Sequence, residues 1–296
     1  MNGAGVTLLS CFFGKTPMGL SRTSLTLGYI SYLNCVPFFG LLKEQGFQGQ
    51  LIPGVPSELN LMLQRGELDA SPSSSFEYAR NWRDYLLLPG HSISSVGRIA
   101  SVLLFSVDSP ERLDGKEIAI TGESATSINL LDILLRDGFN VQRVVTRVHS
   151  GSVEKLVCAG KPALLIGDRA LKLATAVPAG VKIYDLGALW HQHTGLPFVF
   201  ALWMVRRSSL ERHRGALEAL SEQLLRSRCQ VMSQPEPFAR TAAGATGLTT
   251  EQIITYWSSI SYQLDDDHLK GLNLFFNRCY NHGLLKDQPP LDFLHQ

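Results

Sequence analysis

"KEIAITGESATSINLLDILLRDG" (residues 116–138) reads as a strand, a polar loop and a helix, in that order. "KEIAIT" is a strand, "GESATS" is small and polar, and "INLLDILLRDG" is an amphipathic helix that Gly138 stops. Downstream, "SVEKLVCAG" (152–160) is a short helix stopped by Gly160, and "PALLIGDRAL" (162–171) is a strand opening into a loop. The same grammar stands earlier in the chain. "LTLGYI" (25–30) is a buried strand, and "SYLN" (31–34) is a polar loop. Pro37 suits a first helical turn, where its missing N–H is no loss. "VPSELNLMLQRG" (55–66) is a helix with Leu59, Met62 and Leu63 on one face and Gly66 at its end. "ELDASPSSS" (67–75) is a short strand running into serines.

Strands alternating with helices imply parallel sheets with right-handed crossovers, and ligands beyond the carboxyl ends of the strands. Two such units imply an α/β protein of two lobes. The β-rich runs "SVLLFS" (101–106) and "PFVFALWMV" (197–205) flank the second unit and serve as crossings out of the first lobe and back. Lobe 1 is then 25–104 plus 199–296, and lobe 2 is 105–198. The tail is helical: 209–232 carries an apolar stripe, 249–257 opens on a capping box of Thr249 and Gln252, and 265–283 opens on three acids. These helices complete lobe 1, with Tyr256, Trp257, Phe275 and Phe276 in its core.

Of the 296 residues, 45% are hydrophobic and 18% are charged, so the chain can bury substantial cores. A net charge of +1 gives no electrostatic reason to expect nucleic acid or an anionic membrane as partner. Five scattered cysteines argue against a disulfide framework and fit a reducing, cytoplasmic setting. His191 and His193 are the nearest thing to a metal signature, but no acid or cysteine accompanies them, so no metal is expected. Residues 1–24 read as a disordered leader, with Met18 a candidate start. "VTLLSCFFG" lacks the basic region that precedes an export signal.

Four polar segments fall at strand ends or at the crossings: 31–34, 71–75 ("SPSSS"), 92–101 ("SISSVGRIAS") and 124–127 ("SATS"). Serines ordinarily cap helices and fill loops. Four such segments facing one cleft would instead make a receiver for carboxylate or phosphate, with hydroxyls and helix-start N–H groups as donors. Arg98 adds a cation. No Walker loop, dinucleotide fingerprint, nucleophile elbow or catalytic triad is present. Cys35 reads as a small buried residue rather than a nucleophile.

"GYISYLNCVPFF" (28–39), "GELDASPSSSFEYAR" (66–80), "LLLPGHSISSVGRIASVLLFS" (86–106), "SATSINLLDILL" (124–135), "LLIGDRAL" (164–171) and "TGLPFVFALW" (194–203) together resemble the chorismate dehydratase family of the futalosine route to menaquinone. The resemblance spans about residues 27–206. It implies a periplasmic-binding-protein-like (type II) fold of two α/β lobes with a β hinge, and no cofactor. It also implies dehydration of chorismate to 3-[(1-carboxyvinyl)oxy]benzoate. Asn34 would orient the substrate, and Asp168 or a substrate carboxylate would be the base. Ser31, Ser73, Ser74, Ser75, Ser95, Arg98, Ser101, Ser124, Thr126 and Ser127 would grip the two carboxylates. Two rivals remain: 1,4-dihydroxy-6-naphthoate synthase of the same pathway, and a non-catalytic binding protein for a small anion.

Overall fold

The computed structural model describes residues 24–122 and 124–294. The leader and the start at Met18 lie outside the described residues, except for Ser24. The chain runs β1 Thr26–Ile30, α1 Val36–Phe39, β2 Gln50–Gly54, α2 Pro56–Arg65, β3 Ala70–Ser74, α3 Ser75–Asn81, β4 Tyr85–Ser95 and β5 Val102–Ser106. It continues with β6 Glu117–Ile120, α4 Ala125–Ile133, β7 Val145–Val148, α5 Val153–Cys158, β8 Ala163–Ile166, α6 Gly167–Ala174, β9 Lys182–Asp185, α7 Leu186–Thr194 and β10 Phe198–Arg206. Four helices close it: α8 Leu210–Ser233, α9 Glu236–Thr246, α10 Thr250–Ser259 and α11 Asp266–Asn281.

Two five-stranded sheets result, ordered β2-β1-β3-β10-β4 and β7-β6-β8-β5-β9. In each, three strands are parallel, and a fourth runs antiparallel beside them: β10 against β3, and β5 against β8. The expected parallel sheets are therefore mixed. The strands nearest the passages run backwards because the chain enters each sheet from the other one. β5 lies wholly in the second sheet and β10 wholly in the first, so the passages are the segments before them, 96–101 and 186–197.

Two serine segments read as loops are largely strands. Ser71 to Ser74 belong to β3, and Ser92 to Ser95 belong to β4, which the sequence reading missed. Their hydroxyls are buried and bonded at short range: Ser71 Oγ donates to the Pro72 carbonyl (2.9 Å) and Ser73 Oγ to Asn60 Oδ1 (2.7 Å). A serine that satisfies itself locally can sit in a buried strand at little cost.

Helix α4 also differs from its expected amphipathic form. Leu130, Leu131, Ile133, Leu134 and Leu135 are buried, and so are Thr126 and Ser127. The helix is covered on one side by its own unit, and on the other by α3, α11 and β10 of the first. It runs on as a single π-helical turn over Leu134–Gly138. The C-terminal helices complete the first lobe but also grip the second, since Asp137 pairs with His282 (2.7 Å) and Arg278 (3.6 Å) from α11. Tyr256, Trp257, Phe275 and Phe276 are buried, as expected.

Candidate functional site

The carboxyl ends of β1, β3 and β8 and the start of α4 converge on a small cavity of about 70 Å³ between the two sheets. Tyr32, Asn34 and Cys35 reach it from the loop after β1, and Ser73 and Ser74 from the end of β3. Ser124 and Ser127 come from the start of α4, Gly167 from the start of α6, and Ser101 from the passage into β5. Ile93, Phe200 and Ala201 give it an apolar wall. Among the described residues no charged side chain lines it.

Helix starts replace side-chain cations. Pro56 at the first turn of α2 lines the cavity, as do Ser74, the cap of α3, Ser124, the cap of α4, and Gly167, the first residue of α6. Four helix N-termini thus meet at one small space, each carrying partial positive charge. Such a wall attracts carboxylates without carrying a formal charge of its own. Gly167 has to be glycine. Its φ is +61°, and a Cβ there would stand 3.3 Å from the Tyr32 ring.

The structure brings together Asn34, Ser73, Ser74, Ser101, Ser124 and Ser127. The other six candidates lie elsewhere. Ser75 and Thr126 are buried against each other: Ser75 Oγ donates to the Val199 carbonyl (2.8 Å), while Thr126 Oγ1 accepts the Phe76 N–H (2.9 Å). With the Ser75 proton committed to Val199, Thr126 is the donor in the 3.2 Å contact between the two hydroxyls. The pair stitches α4 to α3 and β10. Ser95 Oγ donates to the Gly97 carbonyl (2.8 Å), Ser31 is half-buried after β1, and Arg98 points outward with its side chain 72% exposed.

Asp168 is not among the residues that line the cavity. Its Oδ1 accepts the Leu33 N–H at 3.1 Å, tying the start of α6 to the loop that carries Asn34. Burial pushes its carboxyl up to about 6, against the opposing effect of that N–H. Burial and the nearby Asp168 push the Cys35 thiol far above its ordinary value, which leaves it no thiolate for nucleophilic work.

Sequence reasoning missed three supports. Tyr256 donates to Ser101 Oγ (2.9 Å), the Trp257 indole N–H donates to the Leu33 carbonyl (2.7 Å), and Tyr32 packs over Gly167. The clue for Tyr32 and Gly167 lay in "SYLN" and "LLIGD", where an aromatic and a glycine both stand at strand ends. Nothing local marks Tyr256 or Trp257. Among the described residues no group of three or more His, Cys, Asp or Glu gathers to hold a metal, and no helix is long and apolar enough to cross a membrane.

Residues 25–281 match the family model described as menaquinone biosynthesis, and the chain is 34% identical over 263 residues to the chorismate dehydratase of Thermus thermophilus. That match covers 84% of this chain and 93% of the relative. The chain belongs to the chorismate dehydratase family of menaquinone biosynthesis. A more distant relative, the 1,4-dihydroxy-6-naphthoate synthase of Thermus thermophilus, is 25% identical over 78% of this chain and 83% of its own. The fold is that of periplasmic binding proteins. An alkanesulfonate-binding protein from Xanthomonas axonopodis, solved with bound MOPS, superposes with a TM-score of 0.68 at 14% identity, covering 92% of this chain and 98% of that one. Family membership fits the cavity, because a neutral space ringed by helix starts is suited to a small organic anion.

Proposed function

We propose that this protein is a lyase that removes water from chorismate to give 3-[(1-carboxyvinyl)oxy]benzoate, and that it acts in the cytoplasm on this small dicarboxylate. The free Cys35, Cys158, Cys229 and Cys279 support a reducing compartment. The proposed lobes are 25–101 with 198–294, and 102–197, three residues short of the first crossing expected from the sequence and one short of the second, which keeps β5 with the second sheet and β10 with the first.

One observation carries the mechanism. Asn34 Oδ1 is buried with no hydrogen-bond partner among the described residues, at the wall of a cavity that no charged side chain among them lines. An orphaned acceptor of this kind calls for a donor. Both carboxylates of chorismate are ionised and have no proton to give, while its ring hydroxyl has one. Asn34 Oδ1 therefore accepts a hydrogen bond from the leaving hydroxyl and orients it, and the helix starts hold the carboxylates together with the hydroxyls of Ser74 and Ser124, whose oxygens accept the Glu77 and Ser127 N–H groups and whose own protons face the substrate. Loss of the proton on the ether-bearing carbon builds charge on the ring carboxylate, where these donors are already in place. The proton and the departing hydroxide leave together as water, and the ring becomes aromatic.

Asp168 is the weaker candidate for the base, because it lies outside the lining and its Oδ1 already holds the Leu33 N–H. The base in this mechanism is a carboxylate of the substrate itself, and Asp168 positions the Asn34 loop. Purified protein mixed with chorismate tests the whole reading: aromatic ultraviolet absorbance should rise with turnover. Binding without that rise would make the protein a carrier of small anions instead.

A further inference from the structure

A second concavity, of about 630 Å³, lies beside the passage from β4 to β5 and is distinct from the cavity around Asn34. Its volume falls within the roughly 300–1,000 Å³ of small-molecule sites. Two guanidinium groups line it, Arg98 from the passage and Arg228 from α8, and among the described residues no carboxylate does. Arg98 sits 3.8 Å from Asp185. The Asp185 carboxylate already accepts the N–H groups of Ile99 (3.2 Å), Ala100 (2.7 Å) and Ala188 (3.0 Å), so this ion pair claims little of it. Arg228 is pre-set, because its Nη1 donates to the Tyr262 carbonyl at 2.6 Å. An arginine already held in place loses less entropy when it binds an anion.

The rest of the lining suits a body as well as a charge. Val96, whose 62% exposure is high for an apolar residue, stands with Met232 and Ile260 on the apolar side. Ser259, Ser261 and Gln263 offer hydrogen bonds. The groove also shares a support with the cavity. The last residues of α10 line it, while Tyr256 and Trp257 of the same helix hold Ser101 and the Leu33 carbonyl.

We propose that this groove is a second ligand site, taking a small organic carboxylate with an apolar body clamped between Arg98 and Arg228. It accounts for Arg98, the one cation among the expected substrate ligands, which the fold turns away from Asn34. The inference does not depend on the reaction proposed above.

Cys229 lines the groove and is exposed, so it can report occupancy of this site alone. The full chain with Cys11 and Cys158 replaced by serine would be labelled at Cys229 with a trifluoromethyl thiol reagent and followed by fluorine NMR. Benzoate should shift the resonance saturably, while benzamide, its neutral analogue, should not. Arg228→Gln and Arg98→Gln should each weaken the benzoate response about tenfold or more, as loss of a charged hydrogen bond does. Arg98 is exposed, so its variant keeps the test sound if Arg228→Gln fails to fold. No saturable shift with benzoate, an equal shift with benzamide, or an unchanged response in Arg98→Gln would overturn the proposal.

Discussion

Asp168→Asn separates a structural carboxylate from a catalytic one, and the structure sets the size of the effect. Burial raises this carboxyl from the ordinary 3.8 to about 6. Ionising it in the fold therefore costs about 3 kcal/mol relative to the unfolded chain. The sign follows from the direction of the shift. A raised carboxyl lends its full stability below about pH 4 and loses it as the pH rises through about 6. Asparagine stays neutral throughout and still offers an oxygen to the Leu33 N–H. The variant should match the parent near pH 4 and exceed it by up to about 3 kcal/mol at pH 8, measured by urea unfolding across that range. Turnover reports the second half of the reasoning. A positioning residue should cost kcat/KM no more than about tenfold, whereas loss of a general base costs about 10²–10⁴. A stability difference that does not change with pH would refute the electrostatic account. A loss of 10² or more in turnover, with disappearance of an ionisation near pH 6 from the rate profile, would make Asp168 the base.

Three further substitutions test the geometry. Asn34→Asp puts a like charge beside a dianion in a cavity without cations and should lower kcat/KM by about 10²–10³; wild-type turnover would remove Asn34 from the site. Gly167→Ala must hold a left-handed φ of +61° and press a Cβ toward the Tyr32 ring, so it should cost about 1–2 kcal/mol in urea unfolding and raise KM by displacing Tyr32. Thr126→Val keeps the shape but strands the buried Phe76 N–H, which should cost about 1–3 kcal/mol, and an unchanged unfolding midpoint would mean that the Phe76 N–H has another partner.

The strand–loop–helix grammar was legible because it rests on local signals: Gly66 and Gly160 at helix ends, Pro37 at a helix start, and Thr249 with Gln252 as a capping box. What local signals could not give was direction in space. Ser71 to Ser74 look like loop on polarity alone, yet each can be buried in a strand, because a hydroxyl finds an acceptor one residue away or on a neighbouring helix. Thr126 and Ser127 are adjacent on α4, but Ser127 faces the cavity and Thr126 faces α3. Helix α7 carries its own end signals, an Asp185 cap and a left-handed Gly195, but between them His191 and His193 resemble a metal signature more than a helix. Tyr256 and Trp257 were expected in the core and are buried there. Their hydrogen bonds to Ser101 and Leu33 join residues 155 and 224 positions apart in the chain, a pairing only the fold creates.

The cavity's size bears on how the protein works. At about 70 Å³ it falls well short of the roughly 300–1,000 Å³ of small-molecule sites, so a substrate the size of chorismate requires the lobes to part. Besides the packing of α4 on the first lobe and the Asp137 pairs, two sets of polar contacts would have to yield: Asp168 with the Leu33 N–H, and Thr126 with Ser75 and the Phe76 N–H. Each is a hydrogen bond, worth about 0.5–1.5 kcal/mol net when water can replace the lost partner. Parting these polar links alone costs only a few kcal/mol, and a ligand that binds one state better than the other shifts the balance by that difference. The two contacts also sit on the segments that carry the site. Parting Asp168 from Leu33 frees the loop of Asn34, and parting Thr126 from Phe76 frees the start of α4 with Ser124 and Ser127. In the proposed mechanism, opening therefore withdraws Asn34 and the start of α4 together. Closure over a bound dianion reassembles them while excluding water from an elimination whose transition state depends on their charge.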